Sequence, residues 1–266
     1  MSQFHKSIHT LTTLEDLANR NTPVHRLNPF VKFIITGIYL VLVISFAPNQ
    51  VSGLIPYVFY PVLMMAFGEI PAKPLIGRLL AALPFSLFAG LSNVIFNRTE
   101  ILQYGNIVIT EGMISFISII MKTALTVMAV LILIATTSMK DLIYVMVRLH
   151  LPSIFVLQIT MTFRYLEVLL EEASVMYHAY LLRAPKEKGI KLVHTGPFLG
   201  QLLLRSFDRA ERIYNAMRCR GFEGGIRFSG QEKIRLSSMI FLFAAAALMI
   251  AMRFVNISEI IGKLFV

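Results

Sequence analysis

The chain has 266 residues, of which 56% are hydrophobic and only 15% are charged, and its mean hydropathy is +0.69. Soluble domains carry charge on about a quarter of their residues, so this composition excludes an ordinary soluble protein and predicts an integral membrane protein. The net charge of +10 does not indicate nucleic-acid binding, because basic residues collect beside membrane spans and are attracted to anionic lipid.

The first 30 residues are polar and lack the short charged start, apolar stretch and small-residue cleavage site of a secretory signal. We expect this segment to stay attached. His5 and His9 have the four-residue spacing that places two imidazoles on one helical face, as in zinc sites. No third ligand lies nearby in the sequence, so a structural or incidental role is favoured.

Five apolar segments approach the length of about 20 residues that a bilayer span needs. They lie near residues 31–47, 51–67, 75–96, 113–137 and 234–255. A sixth, less regular segment near 141–163 is interrupted by Arg148, His150 and Pro152. We therefore predict an all-α polytopic membrane protein with five or six transmembrane helices.

Lys122 lies in the middle of the fourth apolar segment. A cation at this depth costs roughly 3 kcal/mol unless it is paired or hydrated, so Lys122 is expected to face other helices or a cavity. A structural tether and a contact for a mobile partner both remain open as its role.

The placement of lysine and arginine predicts the orientation of the chain. Of the 25 basic residues, 15 lie between 138 and 235, four precede or enter the first span, and the loop 97–112 has only Arg98. Basic residues mark cytoplasmic loops, so residues 1–30 and 138–235 are expected inside and Val266 outside.

Two segments of the polar part repeat each other with an offset of 37 residues, which aligns five identical residues. In both copies apolar residues recur at intervals of four and three, which lines one face of a helix. The first stripe is Leu166, Leu170, Ala173 and Tyr177, and the second stripe is Leu203, Phe207, Ala210 and Tyr214. Both copies are predicted to be long amphipathic helices.

Each copy ends in an alanine, three residues, an arginine and a small residue. The first tail contains Ala179, Arg183 and Ala184, and the second tail contains Ala216, Arg220 and Gly221. A single copy would indicate only a helix end, because arginine favours the negative end of the helix dipole and glycine is a common cap. The duplication favours docking, since the small alanine lets the helix end enter a groove where the guanidinium bonds carboxylates or carbonyls.

The sequence offers no anchor for catalysis or nucleotide binding. It contains no phosphate-binding loop, no Gly-x-Ser-x-Gly turn and no His-Glu-x-x-His. Cys219 is the single cysteine, which excludes an internal disulfide and a cysteine-cluster metal site. Glu167, Glu171 and Glu172 share a helix, but a solvated face explains them without an acid/base or metal site. We predict no catalytic residue, no metal site and no cofactor.

Three segments resemble the transmembrane T component of energy-coupling factor (ECF) transporters, and within it the CbiQ-like proteins of cobalt and nickel uptake. Residues 25–32, His-Arg-Leu-Asn-Pro-Phe-Val-Lys, look like the family's His-Arg-Leu-Asp-Pro-x-x-Lys motif with asparagine for aspartate. Leu83-Pro84-Phe85 and residues 216–222, Ala-Met-Arg-Cys-Arg-Gly-Phe, are similar to further family segments. The likeness covers nearly the whole chain.

The resemblance implies a non-catalytic scaffold that joins two cytoplasmic ABC ATPases to a substrate-binding membrane protein, the S component. Two coupling helices would end in Ala-Arg-Gly-type motifs, each entering a groove on one ATPase, where ATP hydrolysis takes place. Arg183 and Arg220 would be the groove-binding arginines. The first tail departs from the family pattern, because Ala184 and Pro185 stand where a glycine is usual.

The expected organisation follows from the spans and the resemblance together. It comprises a cytoplasmic segment (1–30), transmembrane helices (31–140), membrane-associated and cytoplasmic coupling helices (141–233) and a C-terminal transmembrane helix (234–266) in a prokaryotic cell membrane. Cobalt or nickel, with a CbiM-like S component, follows from the CbiQ likeness, and a vitamin is the alternative. A polytopic membrane enzyme and a secondary transporter are the other classes, and copurifying ATPases would separate them from an ECF subunit.

Overall fold

The computed structural model describes residues 22–48, 50–96, 100–104, 107–185, 187, 189–224 and 236–254. Within these residues the protein is helical, with one short hairpin. The helices are α1 (Pro29–Ile44), a 3-10 segment (Ser52–Val58) leading into α2 (Phe59–Gly68), α3 (Ala72–Phe96), α4 (Glu111–Thr136), α5 (Met139–Arg148), α6 (Ser153–Arg183), α7 (Leu192–Cys219) and α8 (Leu236–Phe254). Strands β1 (Glu100–Tyr104) and β2 (Ile107–Thr110) pair antiparallel between α3 and α4.

Among the described residues, three helices are long and apolar enough to cross a membrane: Ala72–Ile95, Glu111–Thr136 and Ser153–Arg183. Shorter apolar helices are Pro29–Ile44, Ser52–Gly68 and Ser238–Arg253. This pattern confirms an all-α, multi-pass membrane protein. The first apolar segment forms α1, whose 16 residues rise about 24 Å, less than the roughly 30 Å of a bilayer core.

The sixth apolar segment, 141–163, does not form one continuous helix. Helix α5 ends at Arg148, His150 takes a left-handed φ of 57°, and Pro152 caps the start of α6. The Leu151 amide donates to the Met146 carbonyl and the His150 amide to the Val147 carbonyl, which completes a Schellman cap with histidine in the usual glycine position. Residues 153–163 instead belong to α6.

The chain forms two compact units, and the boundary between them falls within α5. We call the described residues 22–141 and 236–254 the membrane unit and the described residues 142–224 the arm unit. Predicted features at 1–21, 225–235 and 255–266, including His5, His9 and the C-terminus, lie outside the described residues.

The N-terminal family-like motif builds the start of α1. The Asn28 side chain accepts a hydrogen bond from the Phe30 amide at 3.0 Å and Pro29 takes the first helical position, so both residues favour a helix start here. Lys32 is 1% exposed, and its Nζ donates to the Thr136 carbonyl at 2.6 Å, where α4 ends. A cation at this helix C-terminus is favourable and ties α1 to α4.

One face of α1 supplies the core of the membrane unit. Val31, Ile35, Tyr39 and Val43 are buried and pack in a cluster with residues of α4 and α8. The Tyr39 hydroxyl donates to the Tyr57 carbonyl at 3.0 Å. This hydrogen bond holds the 3-10 segment against α1. It also gives the buried Tyr39 hydroxyl the partner that a buried polar group needs.

Lys122 is a structural tether in this arrangement. Its Nζ donates to the carbonyl of Phe46, just beyond the end of α1. Arg253 of α8 reaches the same place, with Nη2 3.3 Å from the Ser45 carbonyl and its guanidinium 4.0 Å from the centre of the Phe46 ring. Two cations therefore meet the carbonyls at the C-terminal end of α1, where the helix dipole is negative.

Candidate partner-binding site

The two repeated segments are helices α6, with 31 residues, and α7, with 28 residues. Each contains a predicted stripe and ends at a predicted tail. Both helices belong to the arm unit and pack against each other. Residues 184–191 connect them.

The first tail ends with its arginine inside the helix. Arg183 is the last residue of α6, and the Ala184 amide still donates to the Tyr180 carbonyl at 3.0 Å. Ala184 then leaves the helix with φ −128° and ψ 66°, a conformation that a side chain tolerates. Ala179 and Arg183 are exposed, and Ala184 is half-buried.

The second tail ends with its arginine outside the helix. Helix α7 stops at Cys219, Arg220 is the cap, and Gly221 is left-handed with φ 81°. The Gly221 amide donates to the Arg218 carbonyl at 3.0 Å and the Phe222 amide to the Met217 carbonyl at 3.1 Å, which is a Schellman motif. The three predicted residues Ala216, Arg220 and Gly221 are exposed.

Both tail arginines are available to a partner. Arg183 and Arg220 are exposed, and neither makes an ion pair within the part of the chain that the structure describes. A guanidinium with free donors at a helix end is suited to carboxylate or carbonyl acceptors on another protein. The cap difference means that the two arginines are presented by different backbone geometries.

The connection between the helices is organised by Glu187, a residue that the sequence pattern did not single out. Its carboxylate lies 2.6 Å from Lys191 Nζ and accepts a hydrogen bond from the Tyr180 hydroxyl. Lys191 holds the pKa of the Glu187 carboxyl below its ordinary value, with Tyr180 adding to the effect, and Glu187 raises the pKa of Lys191. The Glu187 amide also donates to the Ala184 carbonyl at 3.0 Å, so this cluster positions the chain directly after Arg183.

The two stripes have different surroundings. In the first stripe Ala173 is buried, Leu170 and Tyr177 are half-buried, and Leu166 is exposed. All four residues of the second stripe are exposed, including Leu203 (56%), Phe207 (65%) and Tyr214 (53%).

A different row of α7 residues is half-buried. Its half-buried residues include Leu202, Ser206, Arg209, Ile213 and Met217. The apolar stripe of α7 is therefore an open face of the isolated chain. Spacing alone left this undecided, because a four-three pattern describes a face without identifying what covers it.

The acidic cluster of α6 divides in the same way. Glu167 and Glu171 are exposed, as a solvated face requires. Glu172 differs, because its carboxylate receives Arg205 and Arg209 of α7 at 3.3 Å and 3.0 Å. The Glu172 carboxylate therefore forms ion pairs between the two helices.

Comparison with known proteins covers most of the chain. A family model described as CbiQ, cobalt transport protein, matches residues 20–234. The energy-coupling factor transporter transmembrane protein EcfT of Bacillus subtilis (strain 168) is 26% identical over 255 residues, covering 86% of this chain and 94% of that protein. EcfT of Bacillus selenitireducens is 29% identical over 263 residues, covering 85% and 91%.

A shorter match reaches a protein with a named metal. The nickel permease LarQ of Lactiplantibacillus plantarum is 31% identical over 100 residues, which covers 36% of each chain. The family model extends over well more than half of the sequence and includes the N-terminal motif, both long helices and both tails. The chain therefore belongs to the CbiQ family of cobalt transport proteins, as a CbiQ-like transmembrane T component of energy-coupling factor transporters.

Proposed function

We propose that this membrane subunit is a mechanical scaffold, which docks two cytoplasmic ABC ATPases through its tails and transmits their motion to an S component. Hydrolysis of ATP takes place on the ATPases, and the chain itself performs no catalysis. The single observation that carries the proposal is the pair of exposed arginines, Arg183 and Arg220, at the ends of two repeated helices. Two equivalent ends suit a partner that is present twice.

The mechanism follows from the helices that carry the tails. Closure of the ATPase pair on ATP changes the distance between the two grooves that hold Arg183 and Arg220. Helices α6 and α7 are long and move as rods, so a displacement at the tails reaches their far ends. The second stripe (Leu203, Phe207, Ala210 and Tyr214) is the contact proposed for the S component, since an exposed apolar face of this kind favours an apolar partner.

Cobalt or nickel is the proposed substrate class. The family description and the partial match to a nickel permease support this choice. The EcfT relatives carry no substrate in their names, and a vitamin remains the competing class. The metal is the cargo of the S component, proposed to be CbiM-like, and is not held by this chain.

In the proposed orientation, the segments rich in lysine and arginine lie on the cytoplasmic side of the membrane. Residues 1–30 are proposed to lie inside, and residues 141–233 are proposed to form the membrane-associated and cytoplasmic coupling helices. Transmembrane helices are proposed at 31–140 and at 234–266, with the C-terminus outside. The basic bias of 138–235 supports this orientation, which places both tails where ATPases are found.

Charge reversal at the tails tests the function. Each of Arg183→Glu and Arg220→Glu should weaken copurification of the ATPases, and the double variant should abolish it together with metal uptake. The reason is that losing one partner of a buried charged hydrogen bond costs about 2 to 5 kcal/mol. Affinity purification from membranes, followed by quantification of both ATPase chains and of ⁵⁷Co or ⁶³Ni uptake, provides the measurement.

Arg212→Glu is the matched control, because Arg212 is also an exposed arginine of α7 but lies about two turns before Arg220. It should retain ATPases and uptake. A double tail variant that still transports metal would contradict the docking proposal. A wild-type chain that purifies without any ATPase would favour a secondary transporter or a membrane enzyme.

A further inference from the structure

The ion pairs between the described residues of the two coupling helices centre on Glu172 of α6. Its Oε1 lies 3.3 Å from Arg205 Nη1 and its Oε2 lies 3.0 Å from Arg209 Nη2. The Glu172 side chain is only 16% exposed, and that of Arg209 is 35% exposed. Both carboxylate oxygens are thus used, each by a different guanidinium.

Glu172 and Arg209 occupy equivalent positions of the two repeated helices, because the repeat offset is 37 residues. The ion pair joins these equivalent positions, which here carry opposite charges. The adjacent Ala173 is 5% exposed. The ion pair therefore marks a point where the two helices are held together.

The geometry restrains rotation as well as separation. Arg205 and Arg209 lie one turn apart on α7 and hold one carboxylate from two directions. Arg209 Nε is buried and has no hydrogen-bond partner among the described residues. A buried donor without a partner costs free energy, so Arg209 is kept in place by its ion pair and by packing.

The same offset of 37 residues relates both this contact and the docking arginines, so their separations are equal in the two helices. Arg183 lies 11 residues after Glu172, and Arg220 lies 11 residues after Arg209. At 1.5 Å per residue, each arm is about 16 Å long. Equal arms about one contact are suited to converting a change in the spacing of the tails into a change of crossing angle.

We propose that Glu172 and Arg209, supported by Arg205, are positioning residues that form the pivot of the coupling helices. The pivot fixes the register and crossing of α6 and α7, so that movement of one tail is transmitted instead of being absorbed by sliding. This inference rests on the proposed function for its role in transport, whereas the pivot itself is a property of the isolated chain.

The first experiment measures the pivot without any partner. Spin labels are placed at two exposed positions near the tails, Leu182→Cys and Asn215→Cys, in the full-length chain in detergent with Cys219→Ser. Pulsed electron–electron double resonance then gives the distance distribution between the two spin labels. Glu172→Arg and Arg209→Glu should each lose the single narrow distribution, and the exchange variant carrying both changes should recover it.

Glu171→Arg is the control, because Glu171 is the adjacent acidic residue but is exposed. It should leave the distribution narrow. A narrow distribution in both single variants would overturn the pivot, and so would an exchange variant as broad as either single variant or unable to fold. Recovery by the exchange separates a specific pairing from a general loss of stability.

The second experiment measures coupling in the assembled transporter. The single variants should keep their ATPases, since Arg183 and Arg220 are unchanged, but should hydrolyse about two- to fivefold more ATP per metal ion transported, the scale of a partly exposed ion pair. The exchange variant should restore the ratio. An unchanged ratio in the single variants would contradict the role in transmission. Failure of ATPases to bind even the wild-type chain would instead count against the proposed function and leave the spin-label result intact.

Discussion

At the scale of single residues, the caps explain why two tails with similar sequences are not alike. Gly221 has a φ of 81°, and glycine adopts this region without the cost that a side chain brings. Ala184 lies at φ −128°, where alanine is relaxed, and Pro185 disfavours helix at the residue before it. The departure of the first tail from the family pattern therefore has a local backbone cause.

Gly221→Val should reduce ATPase copurification and metal uptake much more than Ala184→Gly, which we expect to be nearly silent. A β-branched residue in the left-handed region costs about 1 to 2 kcal/mol. A Cβ at Gly221 would meet no atom within 4 Å in the isolated chain, so the penalty there comes from the backbone, with any further loss arising in the ATPase groove. Gly221→Asn is the control, because asparagine tolerates positive φ. Equal losses of copurification and uptake in Gly221→Val and Ala184→Gly would mean that the two tails are interchangeable.

Asn28 shows that a departure from the motif can be conservative. It stands where the family motif has aspartate, and its side chain caps α1 by accepting from the Phe30 amide. Asparagine and aspartate are both strong N-cap residues, so the physical role is preserved. Lys32, four residues on, bonds the end of α4.

At the scale of elements, α7 has one half-buried row, which includes Arg209 paired with α6, and an apolar stripe left exposed. Its half-buried row includes Arg209 and Met217, while Phe207 and Tyr214 face away from shelter. The stripe and the half-buried row share one helix but lie in different surroundings. The open stripe is the part of the arm unit that we propose as the contact for the S component.

Phe207→Asp should lower copurification of the S component and metal uptake while both ATPases remain bound. A charge at the centre of an apolar interface is desolvated without a partner, which costs several kcal/mol. Val175→Asp is the matched control, because Val175 is 64% exposed against 65% for Phe207 and lies outside the stripes. Quantifying each subunit after purification distinguishes the outcomes, and retention of the S component by Phe207→Asp would remove the stripe from the interface.

At the scale of the whole molecule, the chain divides into a membrane unit and an arm unit with different kinds of contact. The membrane unit is held by a buried apolar cluster and by cations that bond helix ends, including Lys32 and Lys122. The arm unit has few buried residues, and α7 contains none. The described residues of the arm unit are therefore held together by fewer buried side chains than those of the membrane unit.

The orientation can be tested with the native cysteine. Cys219 is exposed beside Arg220, so an impermeant maleimide should label it in inside-out vesicles and not in intact cells expressing the chain alone. Added ATPases should protect it, because the second tail is proposed to enter their groove. Cys219→Ser provides the background. Labelling from outside would contradict the proposed orientation. Labelling from inside without protection would support the orientation and contradict the docking of the second tail.

Composition, the apolar segments and the repeat sufficed to predict a helical multi-pass membrane protein and two long helices ending at Arg183 and near Arg220. These features are encoded locally, since span length, helical periodicity and cap residues depend on neighbours in the sequence. The break at His150 was also indicated by its neighbours Arg148 and Pro152.

Tertiary structure decided the matters that depend on which surfaces meet. Lys122 bonds the Phe46 carbonyl, Glu172 receives two arginines from α7, and the stripe of α7 stays open. Periodicity defines a face but not the residues opposite it. The same charge pattern occurs on a solvated helix and on a helix that packs against another. Only the packed positions of distant segments, such as Glu172 and Arg209, distinguish these cases.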